Sequence, residues 1–274
     1  MAEYARQHYV PVFLLKQWYN GPDAQLTRHS FQRAGFLNER RTARVVGFEK
    51  HLYSSTGFDG TKDVSVEQHF MGPHVDDPAS RAHTVLLNEG LAALSPELAG
   101  QWVQFLVSLL VRNPRRMAKN HQQAREILDK SLQASPERDD PQLKSLLPNA
   151  YSQIVAGALP NAIQSEFIFN QFVGGRWMVR HLDASCPYTL LIGDHPLIQI
   201  YAFNEDPVLV LPMSPRTACI FHRNDRIGAR LASLSDGHFA KAINRDTVDS
   251  AERYVFASDD RHAEFVRKYL KTGA

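Results

Sequence analysis

Tyr188-Thr189-Leu190-Leu191-Ile192-Gly193-Asp194-His195-Pro196-Leu197-Ile198-Gln199-Ile200 is the stretch around which the chain is organised. Two apolar runs flank a Gly-Asp-His-Pro knuckle. Runs of this length with β-branched residues predict buried strands meeting at a turn, because Pro196 cannot donate to a ladder and Gly193 is free to take positive φ. A carboxylate beside an imidazole on such a turn is held by rigid backbone, which suits chemistry.

Working outward, Trp177 to Leu182, Pro207 to Leu211 and Thr217 to His222 read as further strands. Helices are predicted over Asp236 to Ala251 and Arg261 to Leu270, with an apolar fragment Tyr254-Val255-Phe256 between them. At the other end of the chain, Pro11 biases Val10 to extended backbone and opens a short helix over Val12 to Trp18, leaving His8 just outside it. Gln25 to Phe31 alternates as a half-exposed strand, and Thr42 to Phe48 is a second candidate. Between these β regions the pattern is helical. Val66 to Phe70 precedes Gly72-Pro73, and an amphipathic stretch runs from Pro78 to Glu89. Ser95-Pro96-Glu97 is a strong helix start, with Trp102, Phe105, Leu106, Leu109 and Leu110 at helical spacing behind it. A helix restarts at Pro114 and runs through Leu132; more helix covers Leu143 to Leu147 and Asn149 to Val173, with breaks expected at Gly157 and Pro160.

Strands at both ends with helices between them imply an α+β fold. The expected architecture is a mostly antiparallel sheet formed by N- and C-terminal segments, with a helical middle region, roughly residues 64–173, packed on one face. One α+β domain over residues 1–274 is expected, since the N-terminal β unit is too small to stand alone.

A net charge of +2 on 274 residues provides no broad basic field, so a nucleic-acid site would have to be local. Cys186 and Cys219 lack CxxC spacing, which argues for buried thiols rather than disulfides or a cysteine-rich zinc site. The N-terminus lacks the order of a secretory signal and no run reaches membrane-span length, so the expectation is a cytoplasmic protein without a membrane partner. No Walker, dinucleotide or G-x-S-x-G pattern occurs, and Ser214 in Met213-Ser214-Pro215 is expected to bond within a turn.

His8-Tyr9-Val10-Pro11 with Phe13-Leu14, Leu52-Tyr53, Glu67, Arg112-Asn113-Pro114, Trp177, Gly193-Asp194-His195-Pro196, Pro212-Met213-Ser214-Pro215, and Ile243-Asn244 with Ala251 occur in an order that resembles the DUF4238 family over nearly the whole chain. The family usually opens with two adjacent histidines where this chain has Gln7-His8, and shows Ser-Asp where this chain has Gly193-Asp194. The resemblance implies a shared fold and a shared site, without an established activity.

His8, Glu67, Asp194 and His195 are types that serve a divalent metal or acid–base work, although none shows HExxH-like local spacing. Arg112, Arg115 and Arg116 crowd one helix junction, a setting for an anion. Two function classes follow. One is a hydrolase, nucleases included, acting on a phosphodiester or nucleotide: Asp194 with His8 and Glu67 activates water or holds a divalent metal, His195 adjoins them, and Arg112 stabilises negative charge. The other is a non-catalytic ligand- or protein-binding module whose polar cluster is structural. The substrate of the first class is a small molecule or a nucleic acid; oligomeric state is left open.

Overall fold

In the computed structural model, which describes residues 4–172, 174–200 and 207–271, the chain opens with β1 (Arg6–His8) and breaks at Pro11 into the single turn α1 (Val12–Leu15). The hairpin β2 (Leu26–Gln32) and β3 (Gly35–Arg41) follows, then β4 (Phe48–Lys50), β5 (Ser55–Thr56) and β6 (Lys62–Asp63). The helical middle comprises a π-wound segment Val66–Asp76, α2 (Asp77–Asn88), α3 (Pro96–Val111), α4 (Pro114–Gln133), α5 (Pro141–Ile163) and α6 (Glu166–Asn170). After it come β7 (Arg176–His181), β8 (Ile192–Gly193), β9 (Ile198–Gln199), β10 (Val208–Ser214), β11 (Thr217–His222), α7 (Asp225–Ser233), α8 (Asp236–Ser250), β12 (Val255–Ala257) and α9 (Ala263–Tyr269). Val173, the last residue of the predicted helical run, lies outside the described residues, as do Met1, Ala2 and Glu3.

The fold is α+β with antiparallel sheets, and strands from the two ends of the chain do share one: its order is β3-β2-β12-β8. A second four-stranded sheet, β7-β11-β10-β9, uses C-terminal strands only. The knuckle therefore hands the chain from one sheet to the other, since β8 pairs with β12 whereas β9 pairs with β10. β8 and β9 are each only two residues long. The preceding apolar run is buried without a ladder, and its backbone groups are satisfied singly: Asn244 Oδ1 accepts from Leu191 N at 2.8 Å, Asn244 Nδ2 donates to Thr189 O at 2.8 Å, and Trp18 Nε1 donates to Leu190 O at 2.8 Å. One buried side chain from α8 thus supplies what a neighbouring strand would have.

Gly193 is not in the positive-φ region. It is an extended β8 residue, and a Cβ there would stand 3.3 Å from Thr247 O and 3.4 Å from Ala251 Cβ. Its role is close helix-to-sheet approach rather than a special turn. Positive φ is needed instead at Gly47, at +65°, whose carbonyl accepts from both Tyr9 N and Val10 N. That contact turns the expected strand Thr42–Phe48 into a 3-10 turn over Ala43–Val45, with β4 starting only at Phe48.

The central strands β10 and β11 of sheet two are buried on both faces, and the period-2 alternation of their side chains shows how. Leu209, Leu211, Met213, Cys219 and Phe221 enter the large core shared with Trp102, Phe105 and the rest of the helical middle. Val208, Val210, Ala218 and Ile220 pack instead with Phe239, Ala240 and Ile243 of α8. Both cysteines are free and buried. Ser95 caps α3 by accepting from Leu98 N, and Trp102, Phe105, Leu106 and Leu109 are buried as their spacing predicts. Helix α5 runs unbroken through Pro148, Gly157 and Pro160, against the expected breaks. Its buried stripe Tyr151, Val155, Leu159 and Ile163 outweighs the local cost of the missing donors.

Candidate functional site

Three of the sequence-predicted residues, His8, Glu67 and Arg112, meet in one polar niche between β1, the π-wound segment and the end of α3. Arg112 is the C-cap of α3, where a long cationic chain is favoured near the helix carbonyls. Its side chain has no solvent-accessible surface; Nη1 donates to Asp76 Oδ1 at 2.8 Å, and the guanidinium lies 5.5 Å from the centre of the Phe105 ring. Arg112 Nε and Nη2 are buried with no hydrogen-bond partner among the described residues, and so is His8 Nε2. Tyr53 OH donates to Glu67 Oε2 at 2.9 Å, which ties the carboxyl to the loop after β4. Gln7 braces that loop: Tyr53 N donates to Gln7 Oε1 and Gln7 Nε2 donates to Ser54 Oγ, both at 2.8 Å. At the position where the family usually has its first histidine, this chain places a structural amide.

The electrostatics of the niche split its groups. Burial pushes the Glu67 carboxyl up to about 7, with Asp76 adding to the rise while the Tyr53 hydrogen bond and Arg112 oppose it. Burial, helped by the Arg112 charge, lowers His8 to about 4 against the carbonyls of Ala43 and Arg44, so His8 is neutral at pH 7. Asp76 keeps a quarter of its side-chain surface open, yet desolvation of its carboxyl raises it above the usual range in spite of Arg112. A carboxyl that titrates near neutrality beside a desolvated cation is the arrangement general acid–base chemistry uses.

Asp194 and His195 belong to a different constellation. Asp194 Oδ1 accepts from Glu252 N at 2.9 Å, Oδ2 accepts from Arg253 N at 2.7 Å and Tyr254 N at 3.0 Å, and Asp194 N donates to Tyr254 O at 2.9 Å. The carboxylate clips the segment between α8 and β12 to the knuckle. Burial raises its pKa, and the three amides and His195 act against that rise. His195 Nε2 stands 3.6 Å from Glu252 Oε1 and faces a cavity of about 250 Å³ that Asn113, Gln199 and Ser250 also line.

Two dipeptides join these constellations back to back. His8 faces Arg112 while its neighbour Tyr9 is within electrostatic reach of Asp194; Arg112 faces the niche while Asn113 lines the His195 cavity. The junction arginines do not form one anion site: Arg112 points inward to Asp76, Arg115 is exposed and reaches Glu252 at 3.5 Å, and exposed Arg116 lines a separate cleft. Among the described residues no three His, Cys, Asp or Glu side chains are grouped as a metal ion would need. Ser214 accepts from Arg216 N at 3.2 Å within the β10–β11 turn, as expected. Tyr53, Asp76 and Glu252 enter these constellations through the tertiary structure. Tyr53 has a signal in the sequence, since it stands in the motif series; Asp76, an acidic residue at a helix start, and Glu252, in the segment between α8 and β12, carry none.

No helix is long and apolar enough to cross a membrane among the described residues. No curated protein and no solved structure matches the chain. Its sequence does match the model of a family described as a protein of unknown function, DUF4238, over residues 6–261, and the chain therefore belongs to that family.

Proposed function

We propose that the protein is a hydrolase of phosphodiester or nucleotide substrates in which Glu67 is the acid–base group. One observation carries this reading: the Glu67 carboxyl, raised to about 7, shares its niche with a cationic Arg112 whose Nε and Nη2 have no partner among the described residues. In the reaction, Glu67 takes a proton from water as the water oxygen bonds to phosphorus. The ester P–O bond breaks, and the proton returns to the leaving oxygen. Arg112 meets the charge gathering on the phosphoryl oxygens with donors that are already desolvated. Tyr53 orients Glu67, and neutral His8 offers Nε2 to the substrate or water. Asp194 takes no proton in this reading, because its oxygens are occupied by three amides.

The complete enclosure of Arg112 favours the second reading, a structural network inside a binding protein. Hydrolysis of bis(p-nitrophenyl) phosphate and of a panel of nucleotides across pH 5 to 9 separates the two. The hydrolase reading expects a rate limb near pH 7 that Glu67→Gln removes while the protein stays folded. A folded wild type inactive on every substrate, with Glu67→Gln altering stability alone, would leave the structural network as the function of the niche.

A further inference from the structure

Residues 105, 108, 109 and 112 of the α3 end face the core and the niche, so the partly buried residues 110 and 111 lie on the other side of the same turns, with the buried core residue Val107 beneath them. There they wall a cleft of about 490 Å³ together with Phe167, Ile168 and Gln171 around α6 and Arg116 of α4. This volume falls within the range of about 300 to 1,000 Å³ usual for small-molecule sites. Phe167 is 76% exposed at its lip, a large ring left unburied beside an apolar wall. Among the described residues Arg116 is the one cationic side chain in the lining, and it pairs there with no carboxylate. Leu110 and Gln199 connect the cleft to the His195 cavity.

We propose that this cleft binds a small amphipathic organic anion, its apolar body against Val107, Leu110, Val111 and Ile168 and its charged group on Arg116. A guanidinium at the rim of an apolar wall, with no carboxylate partner among the described residues, selects a carboxylate, sulfonate or phosphate attached to an aliphatic or aromatic body, because such a ligand pairs the charge while covering the wall. A simple inorganic anion leaves the wall wet, and a neutral hydrocarbon leaves Arg116 unpaired. The site is separate from the Glu67 niche and does not depend on the hydrolase reading.

The full chain is titrated with 8-anilinonaphthalene-1-sulfonate by fluorescence, with octanoate, octyl phosphate and octanol as competitors. One saturable site is expected, displaced by octanoate and octyl phosphate at least tenfold more effectively than by octanol. Arg116→Gln is expected to weaken the charged ligands at least tenfold and to abolish their advantage over octanol. Ile168→Trp, which fills the cleft, is expected to remove binding of all of them. Phe167→Asp alters an exposed position, so it tests the same cleft even if the tryptophan variant fails to fold, and it too is expected to lose the anions. Glu67→Gln should leave every affinity unchanged. Absence of saturable binding, or affinities within twofold of wild type in both Arg116→Gln and Phe167→Asp, would overturn the proposal.

Discussion

Arg112 donates from Nη1 to Asp76 Oδ1 at 2.8 Å from a side chain with no exposed surface, so the pair joins the end of α3 to the start of α2 inside the protein. Asp76 is the group that compensates the enclosed charge. Asp76→Asn removes the compensation and keeps the size, and it should destabilise the protein by about 3 to 5 kcal/mol, as breaking a buried pair does. Urea denaturation checks this; a loss below about 1 kcal/mol would mean that water already reaches the guanidinium.

The Asp194 clip makes a different forecast. Asparagine presents one acceptor oxygen where the carboxylate presents two, so at least one of the amides of Glu252, Arg253 and Tyr254 loses its partner in Asp194→Asn. A destabilisation of about 1 to 3 kcal/mol is expected from a buried donor left unpaired. Amide hydrogen exchange should show lost protection at residues 252–254 specifically, and unchanged exchange there would refute the clip.

Stability should follow pH through Glu67 with a definite sign. Its folded pKa, about 7, lies above the ordinary carboxyl value of 4.5, so its contribution is fully present below about 4.5 and is lost as pH rises through 7. Glu67→Gln, which keeps the shape, should therefore stabilise the protein by about 1 to 3 kcal/mol at pH 8 and by nothing at pH 4.5. His8 has the opposite sign: its folded pKa, about 4, lies below 6.5, so its contribution is present above 6.5 and is lost as pH falls towards 4. His29 and His83, also lowered by burial, act in the same direction as His8. Melting temperatures of wild type, Glu67→Gln and His8→Gln across pH 4 to 8 read both slopes; parallel curves for all three would contradict the burial of these groups.

Leu106 lies in the stripe of α3 and is almost fully buried within the main core. Replacement by Ala should cost about 2 to 5 kcal/mol through lost transfer energy and the cavity left behind. Guanidinium or urea titration measures it directly, and a change near zero would mean that the core collapses around the gap.

Local periodicity determined much of this fold in advance. The apolar spacing of α3, its Ser95-Pro96 start, the apolar runs of β10 and β11, and the α+β order of elements are all short-range patterns, set by which side chains can share one face of a helix or strand. Gly35–Arg41 carried no such signal, because β3 is an edge strand whose polar residues face water. The motif series placed His8, Glu67, Arg112, Asp194 and His195 on a short list, but only the tertiary structure divided them. His8 and Tyr9 are neighbours in the chain and point to opposite constellations, as do Arg112 and Asn113, because adjacent residues on an element project in different directions. Burial is a property of the assembled core, so the rise of Glu67 and the fall of His8 could not be written in their own segments. Likewise Gly193 reads as a turn residue in sequence. Only the approach of Thr247 and Ala251 from α8 shows that the missing side chain, and not the backbone freedom, is what the position requires.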